Sequence, residues 1–133
     1  MADAVTTQVL YDGQAEACIK FTNISDGTGE AAVTKVDVST LAVGLNGSAP
    51  TGVLIEEVYA ATAGMGVDIL WGADTDVLAL HIPADQLHEL CFDEYAIANN
   101  AGTGKTGDIK FTTVGHSAGD RYTIILRLRK KYD

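Results

Sequence analysis

Residues 102–107, Gly-Thr-Gly-Lys-Thr-Gly, offer the closest match in this sequence to a known chemical motif. A phosphate-binding P-loop requires a glycine, four further residues and then Gly-Lys-Ser/Thr, placed where a helix begins and its N–H groups surround the phosphates. The required first glycine falls on Asn99, and residues 108–114 alternate with the period of a strand. We therefore interpret residues 102–107 as a loop between strands.

Three further groups contain residue types that do chemistry. His81, His88 and Cys91 match no common zinc spacing, and no fourth ligand is evident. Residues 74–76, Asp-Thr-Asp, begin like a calcium loop, but the required glycine and glutamate are absent from that frame. Residues 116–120 include His, Ser and Asp without a G-x-S-x-G turn. We expect no enzyme activity, no cofactor and no metal.

Exposed aromatic side chains on a β-sandwich can form a sugar-binding surface, so a carbohydrate-binding module is an open alternative. Aromatic residues on strands more often belong to the core, and only 7% of the chain is aromatic. No binding stripe can be chosen among the candidates, which are Tyr11, Tyr59, Trp71, Tyr95 and Tyr122.

The charge of the chain is segregated. The 133 residues carry a formal charge of −9, which argues against nucleic-acid binding because that function needs basic surface. Five of the nine basic residues nevertheless lie in residues 121–131. This basic end either contacts an acidic neighbour or is a solvated strand face.

Length and composition favour one soluble domain spanning residues 1–133. The first residues lack a basic region followed by an apolar core, and no run of eighteen apolar residues occurs, so we expect an untargeted protein that does not enter a membrane. Cys18 and Cys91 lie in apolar runs, which favours buried free thiols over a disulfide.

The periodicity predicts an all-β fold, an antiparallel β-sandwich of the jelly-roll kind with eight or nine strands. The predicted strands cover residues 6–11, 14–22, 31–41, 53–62, 67–71, 77–82, 91–97, 109–114 and 121–132. Residues 84–90 are the one plausible helical turn, and residues 1–7 are predicted to form a flexible polar arm.

Several features of these strands can be predicted in more detail. Asp12-Gly13 is a strong hairpin signal, and residues 109–114 and 121–132 are expected to pair as a long antiparallel ribbon. The apolar run 77–82 suggests a strand buried on both faces. Trp71 is expected in or beside the core, and the last strand is expected at the centre of the fold.

Much of the chain resembles small structural proteins of tailed-bacteriophage virions. The resemblance is carried by segments that span nearly the whole chain: Thr6–Val9 leading to Tyr11–Gly13, Ala15–Phe21, Lys35–Ser39, Gly64–Val67 continuing to Leu70-Trp71, and Asn99–Gly119. It implies a β-rich virion component without a catalytic motif.

Proteins of this kind include capsid decoration, or cement, proteins, which form trimers or dimers on the outer head surface and clamp capsid subunits. The resemblance therefore implies synthesis in the bacterial host cytoplasm, a place on the outer head surface, and the major capsid protein as partner. It also implies a homo-oligomer, with a trimer favoured over a dimer. A tail, neck or fibre-associated protein and a sugar-binding adhesion module remain alternatives.

An N-terminal arm or an exposed edge strand can join a neighbour's sheet through main-chain hydrogen bonds. We therefore expect the interface at the N-terminal segment, at the glycine-rich loop and at the basic end. The residues predicted for it are Ala2, Asp3, Thr6, Thr7, Gln8, Lys105, Arg127 and Arg129.

Overall fold

The computed structural model of the chain describes residues 3–44, 47–92 and 96–132. Within these ranges it contains nine strands and one short 3-10 helix, Val38–Thr40. The strands are β1 (Ala4–Asp12), β2 (Glu16–Ile24), β3 (Val33–Val36), β4 (Gly52–Ala63), β5 (Gly66–Trp71), β6 (Val77–Ile82), β7 (Leu87–Cys91), β8 (Ile109–Val114) and β9 (Arg121–Lys131).

The strands form two antiparallel sheets. The larger sheet has the order β1-β2-β9-β4-β7 and the smaller one β3-β8-β5-β6. Without β1, the other eight strands have the order of a jelly roll, in which the chain alternates between two four-stranded sheets. The predicted all-β, jelly-roll-like sandwich is confirmed, and β1 is an additional strand on its edge.

β9 lies at the centre of the larger sheet, as predicted, and Ile124, Leu126 and Leu128 are fully buried on one of its faces. Tyr122, at the start of β9, contacts Phe111 of β8 edge to face at 5.9 Å, and Phe111 contacts Phe21 of β2 at 5.2 Å. Trp71 is also fully buried, which confirms its predicted place in the core. Aromatic pairs in this geometry add to the burial of apolar area that holds the two sheets together.

A bulge in β4 changes which side chains reach the core. In a regular strand Val53, Ile55 and Tyr59 would lie on one face, but the pairing of β4 with β9 shifts register at Glu56. After the shift Val58 is buried, while Tyr59 turns to the outer face. An extra residue in one strand inverts the alternation beyond it.

The ribbon expected between residues 109–114 and 121–132 is wrong. β8 pairs with β3 and β5 in the smaller sheet, whereas β9 pairs with β2 and β4 in the larger one. Their connection crosses between the sheets, so Phe111 and Tyr122 face each other across the core. Both strands bury large apolar side chains on one face, and strands in opposite sheets can pack these faces against each other.

The helical turn predicted for residues 84–90 is also wrong. Leu87–Cys91 forms β7, whose pairing with β4 satisfies its backbone groups. Of the strand predicted for residues 91–97, Cys91 belongs to β7 and Ile97 forms a single bridge with Ile55. Residues 93–95 lie outside the described residues.

Two other strands differ from the sequence pattern. The strand predicted for residues 31–41 is limited to β3, because the Asp37 side chain accepts the Ser39 N–H and starts the 3-10 helix. β6 is not buried on both faces, since it is an edge strand on which Leu78 is 52% exposed.

The cysteines are free, as predicted, but neither is buried: Cys18 is partly exposed and Cys91 is exposed. Burial raises the pKa of the Cys18 thiol, and the nearby Glu57 carboxylate adds to that rise. A thiol with a raised pKa is a poor nucleophile at neutral pH.

Candidate functional site

β1 is the most exposed strand of the larger sheet. It pairs with β2 alone among the described strands, and residues 4–11 are all exposed. Its large apolar side chains are unusually accessible: Val5 is 47% exposed, Val9 56%, Leu10 48% and Tyr11 60%. We call residues 5–11 the β1 surface. Val5 and Val9 share one face of the strand, and apolar side chains exposed together on a protein surface mark a place of contact with another molecule.

The β1 surface has little protection against strand pairing. Residues 4–11 contain no charged residue, no proline and no glycine, the residue types with which proteins normally block an edge strand. The pairing of β1 with β2 is irregular at Leu10, where the register shifts between Val9 and Tyr11. The outer edge therefore presents a row of backbone N–H and C=O groups to which another strand can bind.

One face of β1 extends beyond the sandwich. Val5 and Val9 pair with Asn23 and Ile19, so they lie on the core side of the larger sheet. The smaller sheet ends at β3, which has only four residues and leaves Val33 39% exposed. Val5 and Val9 thus lie on the inner face of the larger sheet, at a place where the smaller sheet does not extend far enough to cover them.

The predicted interface residues Thr6, Thr7 and Gln8 all lie in the β1 surface and are exposed. The Thr6 hydroxyl is hydrogen-bonded to that of Thr22 on β2. Residues 1–7 were expected to form a flexible arm, but residues 4–7 belong to strand β1. Ala2 lies outside the described residues.

Asp3 anchors the start of β1 to the loop that follows β2, so its carboxylate is not the outward contact that the sequence suggested. The carboxylate accepts hydrogen bonds from the backbone N–H groups of Asp26 and Gly29, at 3.1 and 3.0 Å, and from the Asn23 amide at 3.0 Å. Burial opposes ionisation of Asp3, but these hydrogen bonds outweigh it and hold its pKa below the usual range.

A buried polar network continues from Asn23. The Glu30 carboxylate accepts hydrogen bonds from Asn23 at 2.8 Å and from the Tyr122 hydroxyl at 2.6 Å, and it pairs with Lys35. Burial, together with the hydrogen bond to Glu30, raises the pKa of Tyr122. The Asn23 side-chain oxygen is buried without a hydrogen-bond partner, while the other groups of the network bind one another. We therefore interpret the network as structural.

The basic end is largely neutralised within the chain. Arg129 binds Glu56 at 2.9 Å, and Arg127 lies 3.7 Å from Glu57 on the outer face of the larger sheet. A hydrogen bond between Glu16 and Glu56 raises the pKa of Glu16 and, with Arg129, lowers the pKa of Glu56. The predicted interface residues Arg127 and Arg129 therefore already have acidic partners within the chain.

Lys130 has a role that sequence reasoning missed. Its side chain is fully buried, and its ammonium group binds the Asp12 carboxylate at 2.5 Å and the carbonyls of Gly13 and Ala42 at 2.5 and 2.9 Å. It therefore ties the β1–β2 hairpin to the crossover between the sheets. The alternation of β9 contained the signal, because position 130 falls on the inner face.

The residue types associated with catalysis do not form a reactive group. His81 bonds to Asp68 at 2.5 Å on an exposed face of the smaller sheet. His116 bonds to Thr113 at 3.1 Å, while Asp120 accepts the Ser117 N–H, so the local His, Ser and Asp are not arranged as a triad. In the described ranges, no group of three or more His, Cys, Asp or Glu side chains is placed to hold a metal ion.

The glycine-rich loop is indeed a connection that leads into strand β8 and not into a helix. Lys105 is exposed at its tip, and the loop lies near the beginning of β4 and the end of β9.

The calcium-like segment, residues 74–76, is held by hydrogen bonds within the chain. The Asp76 carboxylate accepts the Ala73 N–H and pairs with Lys110 at 3.3 Å. The backbone hydrogen bond from Ala73 lowers the pKa of Asp76, and the interaction with Lys110 lowers it further. Burial acts in the opposite direction but is outweighed.

The aromatic candidates for sugar binding are divided between core and surface. Trp71 and Tyr122 are buried and cannot stack on a ligand. Tyr11 belongs to the β1 surface, and Tyr59 is half-buried on the outer face of the larger sheet. Tyr95 lies outside the described residues. Nothing among the helices of the described chain is long and apolar enough to cross a membrane.

No protein-family model and no curated protein sequence matches the chain. Similar solved structures include a mutant of a family 29 carbohydrate-binding module, with 14% identity, a TM-score of 0.41, and coverage of 96% of this chain and 79% of that one. Another family 29 module has 11% identity and a TM-score of 0.42, covering 96% and 89%. At this distance the similarity concerns β-sheet architecture and assigns no ligand.

Proposed function

We propose that the chain is a non-enzymatic structural protein of tailed-phage virions, which binds the outer head surface and stabilises it as a decoration protein. The sequence resemblance to virion proteins motivates this proposal. The observation that carries it is the β1 surface, an uncharged and exposed edge strand outside the eight-stranded roll. A strand of this kind suits docking onto a neighbouring capsid subunit by strand addition.

The free energy that one β1 surface can contribute to binding is small, so binding through several copies of β1 is favoured over binding through one. Each of its four large apolar side chains is about half exposed, so completing the burial of one contributes roughly 1 kcal/mol. Association itself costs about 4–15 kcal/mol, and four such contributions equal only the lower limit of that cost. An oligomer that binds through several β1 strands at once gains affinity from multivalency, and this supports the proposed homo-oligomer, with a trimer as the favoured form.

The non-enzymatic part of the proposal has support of its own. The His, Asp and Glu side chains described above are hydrogen-bonded within loops, sheet faces or the buried network.

Binding to isolated heads that lack the protein tests the proposal. The double variant Val5→Lys/Val9→Lys puts charges on the β1 surface, and we expect it to lose at least ten-fold in head binding measured by co-sedimentation. Leu87→Lys is the matched control, because Leu87 is 68% exposed on β7 at the other edge of the same sheet. The control should bind as the unmodified protein does.

Two results would contradict the proposal. Equal binding by the β1 double variant would exclude the β1 surface as the docking site. Absence of binding to heads, with gold-labelled antibody marking the tail or neck, would favour the alternative of a tail-associated virion protein.

A carbohydrate-binding adhesion module is the second candidate, favoured by Tyr59 on the outer face of the larger sheet. Its ring is partly exposed, and Glu57 lies two positions away on the same face, opposite Arg127. Aromatic rings with polar groups beside them are typical of small-ligand sites. Silence on a glycan array, together with tight head binding, would reject this candidate.

A further inference from the structure

A concave pocket of about 310 Å³ opens at the end of the sandwich where β4 begins and β9 ends. Its size is at the lower limit of small-ligand sites. One side is the glycine-rich loop and another is the segment after Ile97. The lining residues are Thr51, Gly52, Val53, Leu54, Ala98, Asn99, Lys105, Gly107 and Lys131.

The charge of the pocket is opposite to that of the molecule. Lys105 and Lys131 both line it, and none of the lining residues that the structure describes is a carboxylate, although acidic residues outnumber basic ones by 18 to 9 in the whole chain. Among the described residues no ion pair involves Lys105. A cationic concavity in an acidic protein attracts anions selectively.

The pocket walls are held in place by backbone hydrogen bonds. Ile55 and Ile97 exchange two bonds of 3.0 and 2.8 Å, which fix the segment that leads to Ala98 and Asn99. The Asn99 side-chain oxygen accepts the Ala101 N–H at 2.9 Å, so the amide nitrogen is the group that Asn99 can offer to a ligand.

The loop that carries Lys105 is anchored as well. Thr106 N–H bonds to the Gly72 carbonyl at 3.1 Å, and Lys105 N–H closes a turn onto the Gly102 carbonyl at 3.2 Å. Gly107 has a φ of +85°, and a Cβ there would lie 2.4 Å from the Thr51 carbonyl oxygen. Glycine is therefore required where the loop meets the wall, and Lys105 is displayed on a pre-organised support, which lowers the cost of binding.

We propose that this pocket binds a carboxylate on a short apolar stem, in the form of a glutamate side chain presented by a partner protein. The exposed Lys105 ammonium group supplies compact positive charge, and Val53, Leu54 and Ala98 supply an apolar wall for methylene groups. Leu54 pairs in register with Arg129, so the pocket adjoins an open sheet face that a protein surface can cover. This inference stands whether the partner is a capsid subunit or another protein.

The test is an NMR titration of the ¹⁵N-labelled full chain with a blocked Gly-Glu-Gly peptide. We expect saturable shifts at the amides of Gly52, Asn99, Lys105 and Gly107, with a Kd of about 1 mM. The matching Gly-Gln-Gly peptide should bind at least ten-fold more weakly. Lys105→Glu should abolish the shifts, whereas Lys20→Glu, the same charge change on β2, should leave them in place.

Three results would overturn the proposal. Equal binding of the glutamine peptide would exclude carboxylate recognition, and equal losses in the two lysine variants would show only general electrostatic attraction. Tighter binding of free glutarate or inorganic phosphate than of the peptide would assign the pocket to a small anion instead. Should Lys105→Glu alter the fold by circular dichroism, Lys105→Gln takes its place with an expected loss of at least five-fold.

Discussion

The two edge strands of the larger sheet, β1 and β7, are built in opposite ways. β1 has nine residues and no charge before Asp12, whereas β7 has five residues and carries His88 and Glu89. Short length and charge are the usual protection of an edge strand against pairing with other chains. β7 has both, and β1 has neither.

The difference indicates that separate parts of the molecule provide stability and interaction: the eight strands of the jelly roll stabilise the fold, and β1 is available for contact with a partner. The jelly roll is complete without β1, because β2 to β9 already provide both sheets and the core between them. β1 adds an exposed edge and four accessible apolar side chains. If β1 exists for contact with a neighbour, changes in it should affect binding far more than folding.

The largest expected effect on stability comes from the roll itself. Phe111 is fully buried and contacts Phe21 and Tyr122. Phe111→Ala should lower the free energy of unfolding by about 3–5 kcal/mol, measured by urea denaturation. A loss below about 1 kcal/mol would mean that the core contacts described here do not hold the sheets together.

Asp3 provides an intermediate effect, because it fastens the beginning of β1 to the loop after β2. Asp3→Asn should cost about 1–3 kcal/mol, since the amide cannot accept all the hydrogen bonds that the carboxylate does. The pKa of Asp3 is lowered in the folded chain, so its stabilisation is present above the usual carboxylate pKa of about 4 and is lost as the pH falls through the folded value. The variant should therefore show a shallower loss of stability between neutral pH and about pH 3. An unchanged acid profile would contradict the role given to Asp3.

The smallest effects on stability are expected at the two edges. Val9→Lys on β1 and Leu87→Lys on β7 should each change the free energy of unfolding by less than about 0.5 kcal/mol. Only the β1 variant should reduce binding to the partner. A large destabilisation by Val9→Lys would show that β1 is part of the folding core and would remove the contrast between the edges.

The size of the oligomer in solution also tests whether β1, unlike β7, serves for contact with other chains. The proposed decoration role expects a homo-oligomer, preferably a trimer, when the purified protein is measured by light scattering. Because acidic chains repel one another at low ionic strength, we expect the oligomer fraction to rise with salt. A strict monomer at all salt concentrations would favour the tail and adhesion alternatives.

Much of the fold could be predicted because alternation decides the face of a strand. The burial of Ile19 and Phe21, the central place of β9 and the hairpin at Asp12-Gly13 all follow from local sequence. The pairing of β8 was not predictable in this way, since sequence neighbours do not show that the chain crosses between sheets. The bulge at Glu56 likewise leaves no local signal.

The candidate site could be predicted only in part. The N-terminal segment was selected for its polar residues, and Thr6, Thr7 and Gln8 do lie on the exposed edge. The apolar residues Val5 and Val9 were missed, because their exposure depends on where the smaller sheet ends. The charge of Arg127 and Arg129 predicts an interface, yet both are paired with acidic residues of β4, a neighbouring strand that is distant in sequence.

Hydrogen exchange of the β1 amides tests the central claim most directly. In an antiparallel edge strand about half of the N–H groups point away from the sheet, so half of the amides of residues 4–11 should exchange rapidly in the free protein. On binding to heads that lack the protein, those amides should become protected while the amides of β7 remain unchanged. Unchanged exchange in β1, with new protection elsewhere on the bound chain, would contradict the assignment of β1 as the docking strand.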